Sequence, residues 1–335
     1  MTKRKFMALL LAAAVMCALI TGCKDSNVRG KELVKLTVSE VTHSIFYAPM
    51  YVSINNGYFE EMGIDVELIN AGGADKVMTA LLTGGADIGF AGPEAVIYVC
   101  AQGKEDYPRV FAQLTRCDGS FLVGREDVEN FDWQDLRGST ILPGRKGGIP
   151  YMTLLYCLNQ NGMEVGKDVF FDDSIRFNAM TGAFVSGTGD YVTVFEPGAT
   201  DLENQGKGYI LASIGEEGGR VPYTTYFANA PFLENNRELV QRFTDAIYMG
   251  QQFVTENSAE VVAQAIAPSF PDTDMATITA VVQRYKNIGA YSDNGTMSEE
   301  DFDRLCEILA NAGELSRPVK FEDIVDNSFA QAAVE

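Results

Sequence analysis

The 335-residue sequence contains a single histidine, His43, and no Gly-x-Ser-x-Gly motif. A single histidine excludes metalloprotease motifs of the His-Glu-x-x-His type, which need two. The absence of Gly-x-Ser-x-Gly argues against an α/β serine hydrolase, because these enzymes carry their catalytic serine in that motif. The sequence also lacks any Cys-x-x-Cys pair, the unit from which zinc ribbons are built. We therefore expect a protein that is not an enzyme, with no metal centre and no cofactor.

Basic side chains are scarce, with 26 lysines and arginines against 46 aspartates and glutamates. Removal of the first 22 residues would take away Lys3, Arg4 and Lys5 but no acid, which leaves a formal charge of −23. Such a surface repels nucleic acids and anionic lipid head groups, so we expect no nucleic-acid partner.

Long apolar runs are missing after residue 22, but the chain starts with one. Three basic residues (3–5) precede 15 uncharged residues (6–20), which is typical of an export signal and is shorter than the roughly 20 apolar residues of a membrane-spanning helix. The following letters, ITGC (20–23), resemble a bacterial lipobox, which implies cleavage before Cys23 and attachment of lipid, palmitate included, to this cysteine. A plain signal peptide with an incidental Cys23 is the alternative.

The N-terminal pattern predicts where the protein is found. We expect residues 1–22 to be a signal peptide and residues 23–32 to be a lipid anchor and polar tether. Two or more acyl chains hold a protein stably on a bilayer. The folded part would then lie at the extracytoplasmic face of a bacterial cell membrane.

Four further cysteines remain: Cys100, Cys117, Cys157 and Cys306. Exported proteins can form disulfides, but spacing alone does not pair these four residues. Because each lies in or beside an apolar stretch, we expect buried free thiols.

The order strand, helix, strand, helix, strand occurs twice along the chain. The first copy runs over residues 35–91 and the second over residues 138–195, and TGGADIGF (83–90) aligns with SGTGDYVT (186–193). Such alternation predicts βαβ units with mostly parallel sheets, so two copies indicate two α/β lobes. A single domain with a chance likeness between its halves is the alternative.

Beyond Pro222 the pattern changes to helices, which we predict at 232–255, 258–267, 275–287 and 298–312. We expect them to pack on the first lobe. The predicted organisation is lobe I at 33–115, lobe II at 116–220, and completion of lobe I at 221–335.

Four segments resemble the nitrate, sulfonate and thiamine-pyrimidine binding-protein family of ABC importers. They are HSIFYAPMYVSINNGYFEEMGIDVEL (43–68), LLTGGADIGFAGPEA (81–95), GRKGGIPYMTLLYCLNQNG (144–162) and GDYVTVFEPGA (189–199). The resemblance implies a two-lobed periplasmic-binding-protein-like fold of type II that closes on a small molecule. It also implies a monomer that delivers this molecule to a permease and its cytoplasmic ATPase. The alternatives are a thiamine-pyrimidine-related enzyme and a membrane-tethered receptor for a sensor protein.

The candidate binding loops follow from the predicted strands, because ligands of open α/β sheets bind beyond the carboxyl ends of the strands. The glycines of the loop 144–148 would let backbone N–H groups approach a ligand, and tyrosines near the loops would suit a flat heteroaromatic molecule. A tight turn and core tyrosines are the alternatives. The candidate ligand-binding residues are His43, Ser44, Tyr47, Gly92, Glu94, Arg116, Asp118, Arg145, Gly147, Gly148, Tyr151, Tyr191, Glu196 and Tyr223.

The candidates include both acids and arginines, and the two groups would select ligands of different chemistry. Inward-facing Asp118 and Glu196 would select a base or hydrogen-bond donor such as an aminopyrimidine. Inward-facing Arg116 and Arg145 would select an oxyanion such as a sulfonate, since guanidinium groups bind oxyanions with paired N–H donors. We favour a nitrogenous heterocycle and keep the sulfonate as the second reading.

Overall fold

Two five-stranded sheets form the framework of the protein. The computed structural model describes residues 33–103, 106–176 and 179–335. Residues Val34–Glu335 form one compact unit. The predicted signal peptide, Cys23 and the tether lie outside the described residues.

The first sheet, with its helices, is lobe I and has the strand order β2-β1-β3-β10-β4. Strands β1, β2 and β3 run parallel, whereas β10 lies antiparallel between β3 and β4. Its strands are β1 (Val34–Glu40), β2 (Ile64–Asn70), β3 (Ile88–Ala91), β4 (Pro108–Thr115) and β10 (Thr224–Asn229).

The second sheet, with its helices, is lobe II and has the order β7-β6-β8-β5-β9. Strands β6, β7 and β8 run parallel, and β5 pairs antiparallel with both β8 and β9. Its strands are β5 (Ser120–Gly124), β6 (Thr140–Leu142), β7 (Phe170–Phe171), β8 (Tyr191–Phe195) and β9 (Tyr209–Ser213).

Fifteen α-helices flank the two sheets in the described part of the chain. Those of the first half are α1 (Ala48–Asn55), α2 (Tyr58–Glu61), α3 (Ala74–Leu82), α4 (Glu94–Ala101), α5 (Ile149–Gln160), α6 (Met180–Val185), α7 (Gly198–Asn204) and α8 (Ile214–Gly218). Those of the second half are α9 (Ala230–Asn235), α10 (Arg237–Glu256), α11 (Ala259–Ile266), α12 (Met275–Asn287), α13 (Glu299–Asn311), α14 (Phe321–Ile324) and α15 (Ser328–Val334).

The same aspartate bond occurs in both lobes. Asp87 Oδ2 accepts a hydrogen bond of 2.9 Å from the backbone N–H of Thr37, and Asp190 Oδ2 accepts one of 2.8 Å from Thr140. In each lobe the aspartate thereby joins the start of the third repeat strand to the first. The alignment of the two Gly-Asp segments in the sequence therefore reflects a shared structural element.

The predicted α/β two-lobed fold is confirmed, but the sheets are mixed rather than mostly parallel. The difference arises because β5 and β10 follow the segments that cross between the lobes and enter each sheet antiparallel to their neighbours. Residues 48–61 form two helices rather than one, because Gly57 adopts a φ of +77° between α1 and α2.

The C-terminal helices mostly cover lobe I, as predicted. Helices α10 and α11 pack on α1, and α15 packs on α10. Helix α13 also touches α5 of lobe II, where Asn159 Nδ2 donates to Asn311 Oδ1 over 2.8 Å. The helical cover therefore contacts both lobes.

The four described cysteines are free thiols: Cys100, Cys117 and Cys157 are buried, as expected, and Cys306 is partly exposed. Among the described residues, no helix combines the length and the apolar character needed to span a bilayer.

Candidate functional site

Five buried side chains that lie far apart in the sequence meet between the lobes. Two belong to lobe I, one to α5 of lobe II, and two to the segments that cross between the sheets. They are Tyr47, Glu94, Thr153, Asp118 and Tyr223, and together they are the inter-lobe site. Four of the five were among the candidates from the sequence.

Glu94 is the first residue of α4, directly after the carboxyl end of β3. Its carboxylate is stabilised by the backbone N–H groups of Glu94 and Ala95 at the helix N-terminus. The residue is only 5% exposed, and no donor in the described ranges reaches its Oε2 atom. Burial raises the pKa of Glu94 to about 7, and these N–H groups and the charge of Arg145 oppose that rise.

Gly92 provides the space that the Glu94 carboxylate occupies. A Cβ atom at position 92 would overlap Glu94 Oε2 and would lie 2.7 Å from Cδ1 of Ile149. Ile149 is the first residue of α5, so lobe II reaches lobe I at this point. The missing side chain at position 92 thus sets both the place of the carboxylate and the approach of the lobes.

Asp118 lies between β4 and β5 and is fully buried. Its Oδ1 atom accepts hydrogen bonds from Ser120 N over 2.7 Å and from Ser120 Oγ over 2.6 Å, whereas Oδ2 has no hydrogen-bond partner among the described residues. Burial raises the pKa of Asp118 to about 6. The nearby hydroxyls of Ser120, Tyr223 and Thr153 oppose this rise in pKa. Of the three, only the Ser120 hydroxyl makes a hydrogen bond to Asp118, and it does so at Oδ1.

Aromatic rings surround the two acids. Burial raises the pKa of Tyr47 and Tyr223 above the ordinary tyrosine value, and the nearby carboxylates raise it further. Phe46 lies 5.6 Å from Tyr223 and 6.0 Å from Phe195 of lobe II, measured between ring centroids. The site therefore combines hydrogen-bonding acids with apolar ring surfaces.

Both candidate arginines, Arg116 and Arg145, are paired with groups outside the inter-lobe site. Arg116 donates to the carbonyl of Gly289 and to Asp293 Oδ1, each over 2.9 Å. The guanidinium of Arg145 is 58% exposed and lies 3.9 Å from Asp75, an ion pair that joins the rims of the two lobes. The structure therefore gives the inter-lobe acids no hydrogen-bonded cation within its described part.

Glu196 takes part in a contact between the lobes but has its oxygens engaged. It accepts hydrogen bonds from Thr200 N over 2.8 Å and from Thr200 Oγ1 over 3.0 Å, and it lies 3.0 Å from Nη1 of Arg284 on α12. Arg284 also donates to Glu203 over 3.0 Å. This arrangement ties lobe II to the helical cover and leaves Glu196 outside the inter-lobe site.

His43 and Ser44 serve the loop after β1. His43 Nε2 lies 2.8 Å from the carbonyl of Ser269, and its Nδ1 lies 2.9 Å from the Tyr51 hydroxyl and 3.1 Å from Glu40. Ser44 caps the short turn that follows by accepting from Phe46 N over 3.2 Å. His43 is thus held against the helical cover of lobe I.

The remaining candidates lie along the edge of lobe II. The carbonyl of Gly147 accepts from the Tyr98 hydroxyl of lobe I over 3.4 Å, and Gly148 is the N-cap residue of α5. Tyr151 packs on Phe171 at 5.2 Å, and Tyr191 packs against the core of lobe II. The glycine loop therefore touches lobe I, whereas neither tyrosine joins the inter-lobe site.

Ile149 and Thr153 were missed by sequence reasoning. They lie one helical turn apart at the start of α5, and Thr153 Oγ1 donates back to the Ile149 carbonyl over 2.9 Å. Extending the glycine-loop prediction over the first five residues of the following helix would have included both. No cluster of three or more histidine, cysteine or acidic side chains suited to a metal occurs in the described ranges.

The fold places the chain in the class of two-lobed α/β proteins, and comparison with known proteins gives the family. A family model described as NMT1/THI5 like matches residues 45–261. The protein named "Putative binding protein YtlA" from Bacillus subtilis (strain 168) is 44% identical over 312 residues, which cover 93% of this chain and 92% of that protein. The chain therefore belongs to the NMT1/THI5-like family, and the predicted relationship is confirmed.

Solved structures with little sequence identity share the fold. The alkanesulfonate-binding protein SsuA from Xanthomonas axonopodis pv. citri, bound to MOPS, has a TM-score of 0.70 at 14% identity, with 89% of this chain and 99% of that chain covered. The nitrate-binding protein NrtA from Synechocystis PCC 6803 has a TM-score of 0.66 at 16% identity, with 90% and 89% covered. A Candida albicans protein with the generic periplasmic binding protein fold has a TM-score of 0.65 at 14% identity, with 90% and 95% covered.

Proposed function

We propose that this protein is an extracytoplasmic solute-binding lipoprotein of an ABC importer, which captures a nitrogen-containing heterocycle such as a thiamine-pyrimidine precursor. The observation that carries the ligand class is the pair of buried oxygens, Glu94 Oε2 and Asp118 Oδ2, that have no hydrogen-bond partner among the described residues. A buried acceptor without a donor costs free energy, so a ligand that brings N–H groups to these oxygens gains the energy that the protein alone forgoes.

An oxyanion is the less favourable ligand for the same site. A sulfonate or nitrate would be placed next to two buried carboxyl groups, and the arginines that could hold it are paired with Asp293 and Asp75 instead. Burying an anion beside other acids without a counter-ion is costly. The sulfonate- and nitrate-binding neighbours therefore support the class of protein but not the choice of ligand.

The rings of Tyr47, Tyr223 and Phe46 supply the walls that a flat ligand needs. Tyr47 and Phe46 lie 5.7 Å apart, and both belong to the short turn before α1. Aromatic walls with a few well-placed polar groups are characteristic of small-molecule sites. The side-chain set therefore suits an aminopyrimidine ring better than an aliphatic chain.

Hinge closure is the proposed mechanism of capture. Glu94 is carried by lobe I and Thr153 by lobe II, while Asp118 lies on a segment that crosses between them. A ligand that bonds to groups from both sides has a higher affinity for the closed form and so stabilises it. The closed form then delivers the ligand to a permease that is driven by a cytoplasmic ATPase.

The membrane anchor completes this proposal. Cleavage before Cys23 and acylation of its sulfur and amine would hold the protein beside the permease while residues 23–32 act as a tether. The 44%-identical relative is named as a binding protein, and we assign no reaction to the inter-lobe site.

Calorimetry with three probes tests the ligand class. The purified protein is titrated with 4-amino-5-hydroxymethyl-2-methylpyrimidine, with ethanesulfonate and with nitrate. We expect saturable binding of the aminopyrimidine and weaker or no binding of both anions. Binding of ethanesulfonate or nitrate in preference to the pyrimidine would refute the proposed ligand class.

Two isosteric variants connect binding to the site. Glu94→Gln and Asp118→Asn should each weaken aminopyrimidine binding about tenfold or more, since hydrogen bonds to charged groups contribute about 1.5–3 kcal/mol. Glu61→Gln, at an exposed acid in α2, is the matched control and should bind as the wild type does. Unchanged affinity in both site variants would remove these acids from the site.

A further inference from the structure

The two free carboxyl oxygens of the inter-lobe site belong to one electrostatic neighbourhood. The charges of Asp118 and Glu94 both raise the pKa of Tyr223, and the charge of Glu94 also raises the pKa of Tyr47. Glu94 and Asp118 are 5% and 0% exposed, respectively. Water therefore does little to offset the charge of either acid.

The groups that face Glu94 come from four places in the fold. Tyr47 approaches from the turn before α1, Tyr98 from its own helix, Tyr223 from the segment before β10, and Arg145 from the loop after β6. Of these groups, only Arg145 carries a positive charge, and it is exposed and lies beside Asp75.

In the described part of the chain, no cation is hydrogen-bonded to Asp118. Its neighbours are the hydroxyls of Ser120, Thr153 and Tyr223 and the thiols of Cys117 and Cys157, on which its charge acts. Burial raises the pKa of both thiols, so they remain neutral at physiological pH. The described neighbours therefore give Asp118 hydrogen-bond donors on Oδ1 but no paired cation.

Ionisation of both Glu94 and Asp118 is energetically unfavourable in this buried site. Transfer of a carboxylate from water to a poorly polar interior is costly unless the charge is paired, and a buried acid avoids the cost by keeping its proton. An N–H donor presented to the free oxygen reverses this balance, because a charge-assisted hydrogen bond is stronger than a neutral one.

We propose that capture of an N–H donor ligand expels a proton from Glu94, so that ligand binding is coupled to proton release. In this step the O–H bond at Oε2 breaks, the proton passes to water or a buffer base, and an N–H···O⁻ hydrogen bond from the ligand forms in its place. The inference rests on the proposed function, because it requires a ligand with N–H donors.

Of the two acids, Glu94 is the one assigned the released proton. The pKa of Glu94 is raised to about 7 and that of Asp118 to about 6, so Glu94 retains its proton to the higher pH. At pH 7 about half of the unliganded molecules then carry the proton on Glu94. Binding should therefore release about half a proton per molecule at this pH.

Calorimetry in two buffers with different ionisation enthalpies measures the released protons directly. With 4-amino-5-hydroxymethyl-2-methylpyrimidine as the probe, and with its own titration subtracted, we expect release at pH 7 and almost none at pH 8.5. Affinity should fall by about tenfold per pH unit below pH 7. Proton uptake, or affinity that is independent of pH, would overturn the inference and leave the proposed ligand class intact.

Variants assign the proton to its residue. Glu94→Gln should abolish proton release at pH 7, whereas Glu61→Gln should release as much as the wild type. Matching thermal melting curves establish that both variants are folded. Full proton release from Glu94→Gln would show that another group supplies the proton and would also overturn the inference.

A second measurement needs no ligand. Carbon-13 NMR of labelled glutamate side chains, with the Glu94 signal identified by its loss in Glu94→Gln, should give a titration midpoint near pH 7. A midpoint near 4.5, the ordinary glutamate value, would overturn the inference even if the probe binds. If the probe does not bind, the proposed ligand class fails and the coupling fails with it, whereas a bound probe with a midpoint near 4.5 overturns the inference alone.

Discussion

Gly92 of lobe I and Ile149 of lobe II face each other so closely that a Cβ atom at position 92 would lie 2.7 Å from the Ile149 Cδ1 atom. The same Cβ atom would overlap Glu94 Oε2. Position 92 therefore couples the separation of the lobes to the place of the acid that we assign to ligand binding.

Gly92→Ala should weaken aminopyrimidine binding at least tenfold, because the added methyl group displaces the Glu94 carboxylate and holds Ile149 away. A misplaced hydrogen bond to a charged group loses about 1.5–3 kcal/mol, which corresponds to a factor of ten or more. Calorimetry measures the affinity, and small-angle X-ray scattering in the presence of the probe should show a larger radius of gyration than for the wild type.

Gly182→Ala is the matched control for this substitution. Gly182 lies in α6, and no atom of the described residues lies within 4 Å of the Cβ that the change would add. Wild-type binding is expected, since alanine also favours helix. Equal losses of affinity at positions 92 and 182 would disprove a local effect on Glu94.

Arg284→Met should reduce the free energy of unfolding by about 3 kcal/mol, because removal of one partner strands a buried charge. Glu196 has a side chain with 0% exposure and lies 3.0 Å from the guanidinium. Urea denaturation measures the loss. Lys167→Met breaks an ion pair whose side chains are 72% and 71% exposed, and the change should be below about 1 kcal/mol. Similar losses in the two variants would contradict this assignment.

The stability of the wild type should fall as the pH rises from 4.5 towards 7. Glu94 has a folded-state pKa of about 7 against an ordinary value of 4.5, so the folded state binds the proton more tightly and loses this advantage on deprotonation. The shift corresponds to roughly 3 kcal/mol. Urea denaturation at a series of pH values should show a smaller fall for Glu94→Gln. An identical pH profile in both proteins would argue against a protonated Glu94.

Cys23→Ser should abolish lipid attachment. Cells grown with radiolabelled palmitate should label the wild-type protein but not the variant, and the variant should be released from the membrane fraction. Cys306→Ser, at a partly exposed thiol in α13, is the control and should remain labelled. Labelled Cys23→Ser protein would point to acylation at another residue.

Local pattern was sufficient to predict much of the architecture. The Gly-Asp segments at Asp87 and Asp190 have the same position in the two lobes because each aspartate bonds to the first strand of its own repeat. The predicted C-terminal helices occur because their apolar residues recur at helical spacing and cover lobe I.

The fate of individual side chains was harder to predict. Glu94 was identified because its loop follows a strand, and Asp118 because it lies where the chain crosses between the lobes. Each has one buried oxygen without a hydrogen-bond partner among the described residues. Arg116 was predicted from the same crossover and Glu196 from a strand end, yet Arg116 binds Gly289 and Asp293, and Glu196 binds Arg284. Nothing in the sequence near either residue indicates these partners.

The sequence by itself determined the repeated strand and helix order and the loops that follow the strands, because hydrophobic periodicity and turn residues act over short stretches of chain. The family followed from the resemblance of whole segments such as residues 43–68. Only the tertiary structure decided which charged side chains lie in the inter-lobe site. Pairing depends on segments far apart in the chain, as with Glu196 and the Tyr285 hydroxyl, which accepts from the Glu196 N–H across 89 residues. Long-range packing paired Arg116 with Asp293 and Arg145 with Asp75, and it left two acids in the inter-lobe site.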